Sequence, residues 1–362
     1  MNAENRVQNK FSFDITTHIS EKMSQFAKEH IVLRDLTAGP FPHDVWEIMR
    51  SHGLLEPLTS YSEISSAGES LVKHGGNIGY CLSWMLHQLA YRFVFERLGT
   101  PDQKKMLSGG KTACLAMSEP KTGAHPKHMK TRAELTSEGF VITGEKAFIT
   151  NAPIADIFVV ITITDETEGR KHFSAIIVPK SSTGLRVADM GIPFLRPSPH
   201  GIVNLDSCIV PKENLIGKES SAYNEIVLPF REVEDVMMMG PLAGAMEFIL
   251  NGIAAMIKPE AINDDILLML GRMKAISETT AFIAKKAAGL LDQNVAENLL
   301  PVILVTRTMA LEFCEISEKI ISLFAAGDNH LPVMLADFSK VIRIADGVSM
   351  IKQKRLGEML LK

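Results

Sequence analysis

The feature that most constrains this chain is a double change of hydrophobic period. From about Phe11 to Lys111 apolar residues recur at helical spacing, as Val45, Ile48 and Met49 do after Pro42, a residue suited to a helix start. Ile78 to Leu98 repeats the pattern with Trp84, Leu86, Leu89 and Phe93. Gly99 is expected to end that stretch in a left-handed cap, and Pro101-Asp102-Gln103 to open a short helix. From about Thr112 to Gly217 the period falls to two. Thr131, Ala133 and Leu135 alternate with polar residues, Ser137-Glu138-Gly139 turns the chain, Phe140-Val141-Ile142 follows, and Gly144-Glu145 is expected to turn it again. Ile157 to Ile163, Ser174 to Val178 and Ile202 to Cys208 read as further strands. From about Ser221 to Lys362 helical spacing returns, in Phe282 to Leu291, Leu299 to Phe324 and Phe338 to Leu361. The expected fold is α+β and multidomain: an N-terminal helical domain over 1–111, a middle β-barrel or sandwich domain over 112–220, and a C-terminal four-helix-type bundle over 221–362. This order excludes a βαβ plan, and no GxGxxG follows a strand.

Composition enters where it excludes classes of function. With 362 residues, 46% apolar and 22% charged, the chain can bury a large core and does not read as disordered. A net charge of −4 gives no nucleic-acid footprint. Cys81, Cys114, Cys208 and Cys314 are far apart and form no CxxC, so free thiols in a reducing compartment are expected. Met1 to Lys10 is polar with no apolar signal core, and a cytoplasmic protein is expected. Val236 to Ile257 carries Glu247 as its one charge and is long enough to span a bilayer. Gly240, Pro241, Gly244, Glu247 and Asn251 favour instead a helix buried in a bundle, with no membrane span. No HExxH, carboxylate–His spacing, P-loop or GxSxG occurs, and no metal is expected.

The middle region carries a specific set of motifs. Ala116-Met117-Ser118-Glu119-Pro120, then Gly123, then Gly144-Glu145-Lys146-Ala147-Phe148-Ile149-Thr150-Asn151-Ala152, then Ala155-Asp156, resembles the acyl-CoA dehydrogenase family. That family reads A-x-[ST]-E-P-x-x-G-S-D, then G-x-K-x-[WF]-I-T-N-G, then A-D. Leu98-Gly99-Thr100-Pro101-Asp102-Gln103-Lys104-Lys105 upstream and Val210-Pro211-Lys212-Glu213-Asn214-Leu215-Ile216-Gly217 downstream are similar to its flanking segments. The likeness is strongest from Gly99 to Gly217. It implies FAD as cofactor, with Ser118 bonding the pyrimidine side of the flavin, Thr150 the N5 region, Phe148 packing by the ring, and Leu115, Met117, Gly123 and Ile149 completing the contact. Read without the resemblance, Ser118 and Thr150 are strand and turn residues that could bond local backbone, and Phe148 is an ordinary core residue.

Elsewhere the chain departs from the family. The C-terminal base motif is matched by Ile344-Ala345-Asp346-Gly347-Val348, which puts Asp346 where a glutamate is usual. The alternative base position, in the first long helix after the β region, falls on Val233, with Glu232 and Glu234 one residue to either side. The G-S-D of the first motif is Gly123-Ala124-His125, which removes a hydroxyl that faces phosphate groups in the family. No R-x-x-F-G follows Met256, and the G-G-x-G turn is replaced by Ala325-Ala326-Gly327-Asp328. Lys127, His128 and Lys130 could bind an anion such as the phosphate of a pantetheine carrier.

The resemblance implies an FAD-dependent oxidoreductase of fatty acid metabolism type. It would dehydrogenate an acyl thioester of CoA or a carrier protein, pass electrons to an acceptor, and assemble as a homodimer or homotetramer. Asp346 is the expected catalytic base, with Glu234 and Glu232 as alternatives. A flavin-dependent oxidase or monooxygenase on the same fold, and a non-catalytic member acting in an assembly, are the competing readings.

Overall fold

The computed structural model describes residues 18–32, 36, 39–295, 299–324, 330–344 and 346–361, with side chains of 346–348 outside the description. The Ala325–Asp328 segment lies outside it as well. The first helices are α1 (His18–Phe26), α2 (His43–Ser51), α3 (Tyr61–Gly75), α4 (Ile78–Leu89), α5 (Glu96–Leu98) and α6 (Pro101–Lys105). A π-helical turn, Ala90–Phe95, joins α4 to α5 without a break. Thr100 and Gln103 form a reciprocal capping box at α6, which satisfies two of that helix's free donors. Gly99 does end the preceding helix, but in extended backbone rather than a left-handed cap, with φ of −81°. The glycine is needed there for space, because a Cβ would lie 2.6 Å from the Phe95 carbonyl oxygen.

The middle region is one eight-stranded sheet: β1 (Ala113–Ala116), β2 (Arg132–Thr136), β3 (Gly139–Thr150), β4 (Ile157–Thr167), β5 (Arg170–Pro179), β6 (Leu185–Asp189), β7 (His200–Val210) and β8 (Leu215–Ile216). The order is β6-β7-β3-β2-β4-β5-β8, and β1 pairs in parallel with β4. β1 and β2 share one edge of β4, β1 opposite Ile157–Val160 and β2 at Ile163. They are two halves of a split strand, interrupted by the excursion 117–131. The expected turn at Gly144-Glu145 does not occur. Gly144 lies inside β3 at a register shift, with φ of +150°, and a Cβ there would sit 2.6 Å from Thr131. Glycine at that point permits a bulge against the neighbouring strand, not a reversal.

β4 explains the unbroken apolar run from Ile157. Phe158 and Val160 enter the core of the β region, while Ile157, Val159 and Ile161 join the core shared with the helices. A strand covered on both faces has no solvent side on which to alternate. Each such fully buried branched side chain contributes about 1.5–3 kcal/mol. His87 of α4 docks β1 onto the helices: its Nδ1 accepts from the Ala113 amide at 3.1 Å, so Nε2–H donates to the Leu55 carbonyl at 2.9 Å. Burial holds this imidazole neutral, down to about 4.

The chain then returns to helix: α7 (Leu228–Met237), α8 (Met239–Met256), α9 (Asp264–Asp292), α10 (Leu299–Leu323), α11 (His330–Arg343) and α12 (Asp346–Leu360). The apolar stretch from Tyr223 to Met256 passes a length-and-composition test for a membrane span, yet 72% of its most apolar window is buried inside the protein. α8 packs between α3 and α9. Its Gly240 and Gly244 lie one turn apart against α3, where added Cβ atoms would meet the Ser65 carbonyl oxygen at 2.5 Å and that of Glu69 at 2.3 Å. Asp292, at the end of α9, accepts from the amides of Tyr61 and Ser62 and caps α3 from a distant part of the chain.

Candidate functional site

The split strand is closed by a buried ion pair. The Glu119 carboxylate accepts from the amides of Lys130 at 2.6 Å and Thr131 at 3.0 Å, and from Lys146 Nζ at 2.9 Å. Lys146 donates a second bond to the Met117 carbonyl at 3.1 Å, and its side chain is fully buried. Burial opposes ionisation of Glu119, but Lys146 and the Thr131 bonds outweigh it and hold the carboxyl below its ordinary range. Burial draws the Lys146 ammonium down to about 8 in spite of Glu119. The Glu and Lys of the two sequence motifs therefore act as a clasp that joins β1, β2 and β3. Sequence reasoning quoted both residues without giving either a role. The signal was present in their types, since a Lys and a Glu have to find each other when both are buried.

The clasp fixes Ser118. Its carbonyl accepts from the Ala147 amide at 2.9 Å, which brings the first motif against the second. Leu115 and Met117 are half-buried and face the helical core, whereas Cys114 and Ala116 enter the β core. After Ser118 the chain makes a tight turn in which Glu119 and Gly123 exchange two backbone bonds of 3.0 Å. Gly123 has φ of +57° and open space above it.

In β3 a second register shift falls between Lys146 and Ile149. It places Phe148 in left-handed backbone, φ +59°, with the residue 59% exposed. A bulky residue in that conformation is uncommon and marks a site where a surrounding structure imposes it. The Phe148 amide lies 3.3 Å from Met190 Sδ. Ile149 turns into the β core, so it meets the open face only through its backbone. Thr150 is half-buried and sits opposite His200 of β7, whose imidazole burial pulls below its ordinary value. Asn151 follows with φ of +68°, donating to the Ser83 carbonyl at 2.7 Å, while its own side-chain oxygen is buried and unbonded. Among the described residues neither the Ser118 nor the Thr150 hydroxyl has a partner within the chain. Two free hydroxyls and an outward ring, on two segments joined by the backbone bond from Ala147 to Ser118, suit a flat ligand with polar edges. His200 is the member of this group that sequence reasoning left unassigned.

The acidic candidates lie on α7 and α12. Arg231 of α7 reaches the Ala124 carbonyl at 3.4 Å, which brings α7 to the loop that runs on from Ser118. Glu234 is one turn further along the same side of α7 and is partly buried. Its carboxyl is pushed up to about 7, chiefly by burial and next by Asp235, with Arg231 opposing. Glu232 is exposed. Asp235 pairs with Lys352 of α12 at 2.5 Å. Asp346 opens α12 six residues earlier, about 9 Å along the helix, and its side chain lies outside the described residues. No cluster of three His, Cys, Asp or Glu side chains able to hold a metal occurs among the described residues.

The family model for the acyl-CoA dehydrogenase middle domain matches residues 114–206. Mitochondrial isovaleryl-CoA dehydrogenase of Solanum tuberosum is 30% identical over 267 residues, covering 68% of this chain and 64% of that protein. The L-prolyl-[peptidyl-carrier protein] dehydrogenase of Pseudomonas fluorescens is 35% identical over 150 residues, 40% of each chain. The matched part spans 60–64% of the first curated relatives' length. In fold the whole chain is similar to butyryl-CoA dehydrogenase from Megasphaera elsdenii, with a TM-score of 0.82 and 18% identity over 97% of this chain and 100% of that one. The motifs on β1 and β3 that build the open face fall within the matched residues, and the chain belongs to the acyl-CoA dehydrogenase family.

Proposed function

We propose that this chain is an FAD-dependent dehydrogenase of acyl thioesters carried on CoA or on a carrier protein. The observation that carries the reading is the pair of unpartnered hydroxyls, Ser118 and Thr150, beside the outward Phe148 ring. This donor set fits the edge of a flavin: Ser118 and Thr150 would bond its polar edge, with Leu115, Met117 and Phe148 supplying apolar surface. When bound, FAD supplies a two-electron acceptor for the substrate's β-hydride. Exposed apolar residues on the C-terminal helices, including Leu268 at 72% and Met350 at 71%, support a homodimer or homotetramer.

The α-proton needs a carboxylate sheltered from water. Glu234 is our assignment for that base in place of Asp346, because it is partly buried, is raised toward neutrality, and stands on the helix that touches the loop after Ser118. A carboxylate with a pKa near the working pH accepts a proton more strongly than an ordinary surface acid. The test is anaerobic flavin reduction by a panel of acyl thioesters in wild type, Glu234→Gln and Asp346→Asn. Wild type should bleach, at a rate that rises with pH through about 7. Glu234→Gln should lose most of that rate. Equal bleaching by Glu234→Gln, with loss in Asp346→Asn, returns the base to Asp346. No bleaching of a flavin-loaded wild type removes the dehydrogenase reading.

A further inference from the structure

The excursion between the two halves of the split strand carries charge that the clasp does not use. From Pro120 to Arg132 the sequence has Lys121, His125, Lys127, His128, Lys130 and Arg132, and no acidic residue, in a chain of net charge −4. Arg132 is paired with Glu166. Lys121, Lys127 and Lys130 are exposed and have no ion-pair partner among the described residues, and His125 and His128 are exposed with their rings 4.8 Å apart.

The backbone under these side chains is fixed. Met129 is fully buried, and its amide and that of His128 bond the His125 carbonyl at 3.1 and 3.0 Å. Lys171 donates to the Lys127 carbonyl at 3.1 Å and to the Met129 carbonyl at 2.8 Å. Glu119 holds Lys130 at the other end. A stiff basic loop loses little order when it meets a partner. Its cationic side chains are all exposed, and none is a buried donor aimed into a pocket, so the loop presents its charge to solvent and is not a closed phosphate site. An exposed, one-signed patch steers a large, oppositely charged surface.

We propose that the Lys121–Lys130 loop is the docking surface for an acidic carrier protein that delivers the acyl thioester to the open face at Ser118. This rests on the dehydrogenase reading and narrows its substrate class. One relative, at 35% identity over 150 residues, acts on a prolyl group held by a peptidyl carrier protein.

The test measures binding apart from turnover. A panel of fluorescently labelled, phosphopantetheinylated carrier domains of net negative charge, bearing no acyl group, is titrated with the flavin-loaded protein by anisotropy. Coenzyme A is titrated in parallel. Lys127→Glu/Lys130→Glu, and separately Lys121→Glu, should weaken carrier binding about tenfold or more and flatten its salt dependence, with coenzyme A affinity and the flavin spectrum unchanged. The proposal is overturned if no carrier in the panel binds wild type. It is equally overturned if the variants bind carrier as wild type does, or if coenzyme A affinity falls in step and makes the loop a phosphate site. Carrier binding that is charge-dependent, with no bleaching of the flavin by any acyl carrier, keeps the docking surface and discards the dehydrogenase reading alone.

Discussion

Lys146→Met is the substitution that most directly tests how the candidate site is held. Methionine fills nearly the same volume, so the change removes a charge and two hydrogen bonds without opening a large cavity. Glu119, only 6% exposed at the side chain, keeps its two amide donors but loses its counter-charge. Removing one partner of a buried pair costs about 3–5 kcal/mol, most of it from the uncompensated charge left behind. Glu119→Gln together with Lys146→Met removes both charges and should recover all but about 1–2 kcal/mol. The assay is urea unfolding of the two variants and wild type across pH. The sign follows from Glu119: its folded pKa is depressed, so its contribution is complete above the ordinary carboxylate value of 4.5 and is lost as pH falls through the depressed one. The difference between wild type and Lys146→Met should therefore shrink on acidification below that range. A loss under about 1 kcal/mol at pH 7, or a double variant no better than Lys146→Met, would refute the clasp.

Thr150→Val and Ser118→Ala should each weaken flavin retention by about 1–3 kcal/mol, read as a 5- to 150-fold rise in the flavin dissociation constant, roughly; unchanged affinity and spectrum in both removes them from the site. Glu234 has a raised folded pKa, so the stability it confers is present below the ordinary carboxylate value and is lost as pH rises through about 7. Glu234→Gln should accordingly be more stable than wild type at pH 8 and close to it at pH 4, by thermal unfolding. Gly244→Ala places a Cβ 2.3 Å from the Glu69 carbonyl oxygen and should cost about 1–3 kcal/mol by forcing α8 away from α3; a wild-type melting temperature would show that the two helices part without cost.

Periodicity and turn chemistry are local, and what they govern was legible in the residues. The change from helix to strand and back is written in the spacing of Val45, Ile48 and Met49, in Thr131, Ala133 and Leu135, and in the long apolar pattern of α10. The resemblance of the motifs to those of the family likewise put Ser118, Phe148 and Thr150 in one set. Contacts between distant segments were not legible. β1 is too short and too like its surroundings to announce itself, and only its pairing with β4 shows that it is half of a split strand. Gly144 carries the composition of a turn, but the neighbouring Thr131 makes it a bulge. Whether a carboxylate is an ordinary surface acid or a raised one depends on what covers it, and no run of letters from Arg231 to Asp235 states that Glu234 is shielded while Glu232 is not. The order of elements was legible along the chain, because it follows from short-range sterics and hydrophobic spacing, whereas the site residues were legible only through the family resemblance. The tertiary structure alone decided that Glu119 and Lys146 meet, that Phe148 turns outward and that Glu234 is sheltered, because burial and charge pairing arise only when segments far apart in the chain are brought together.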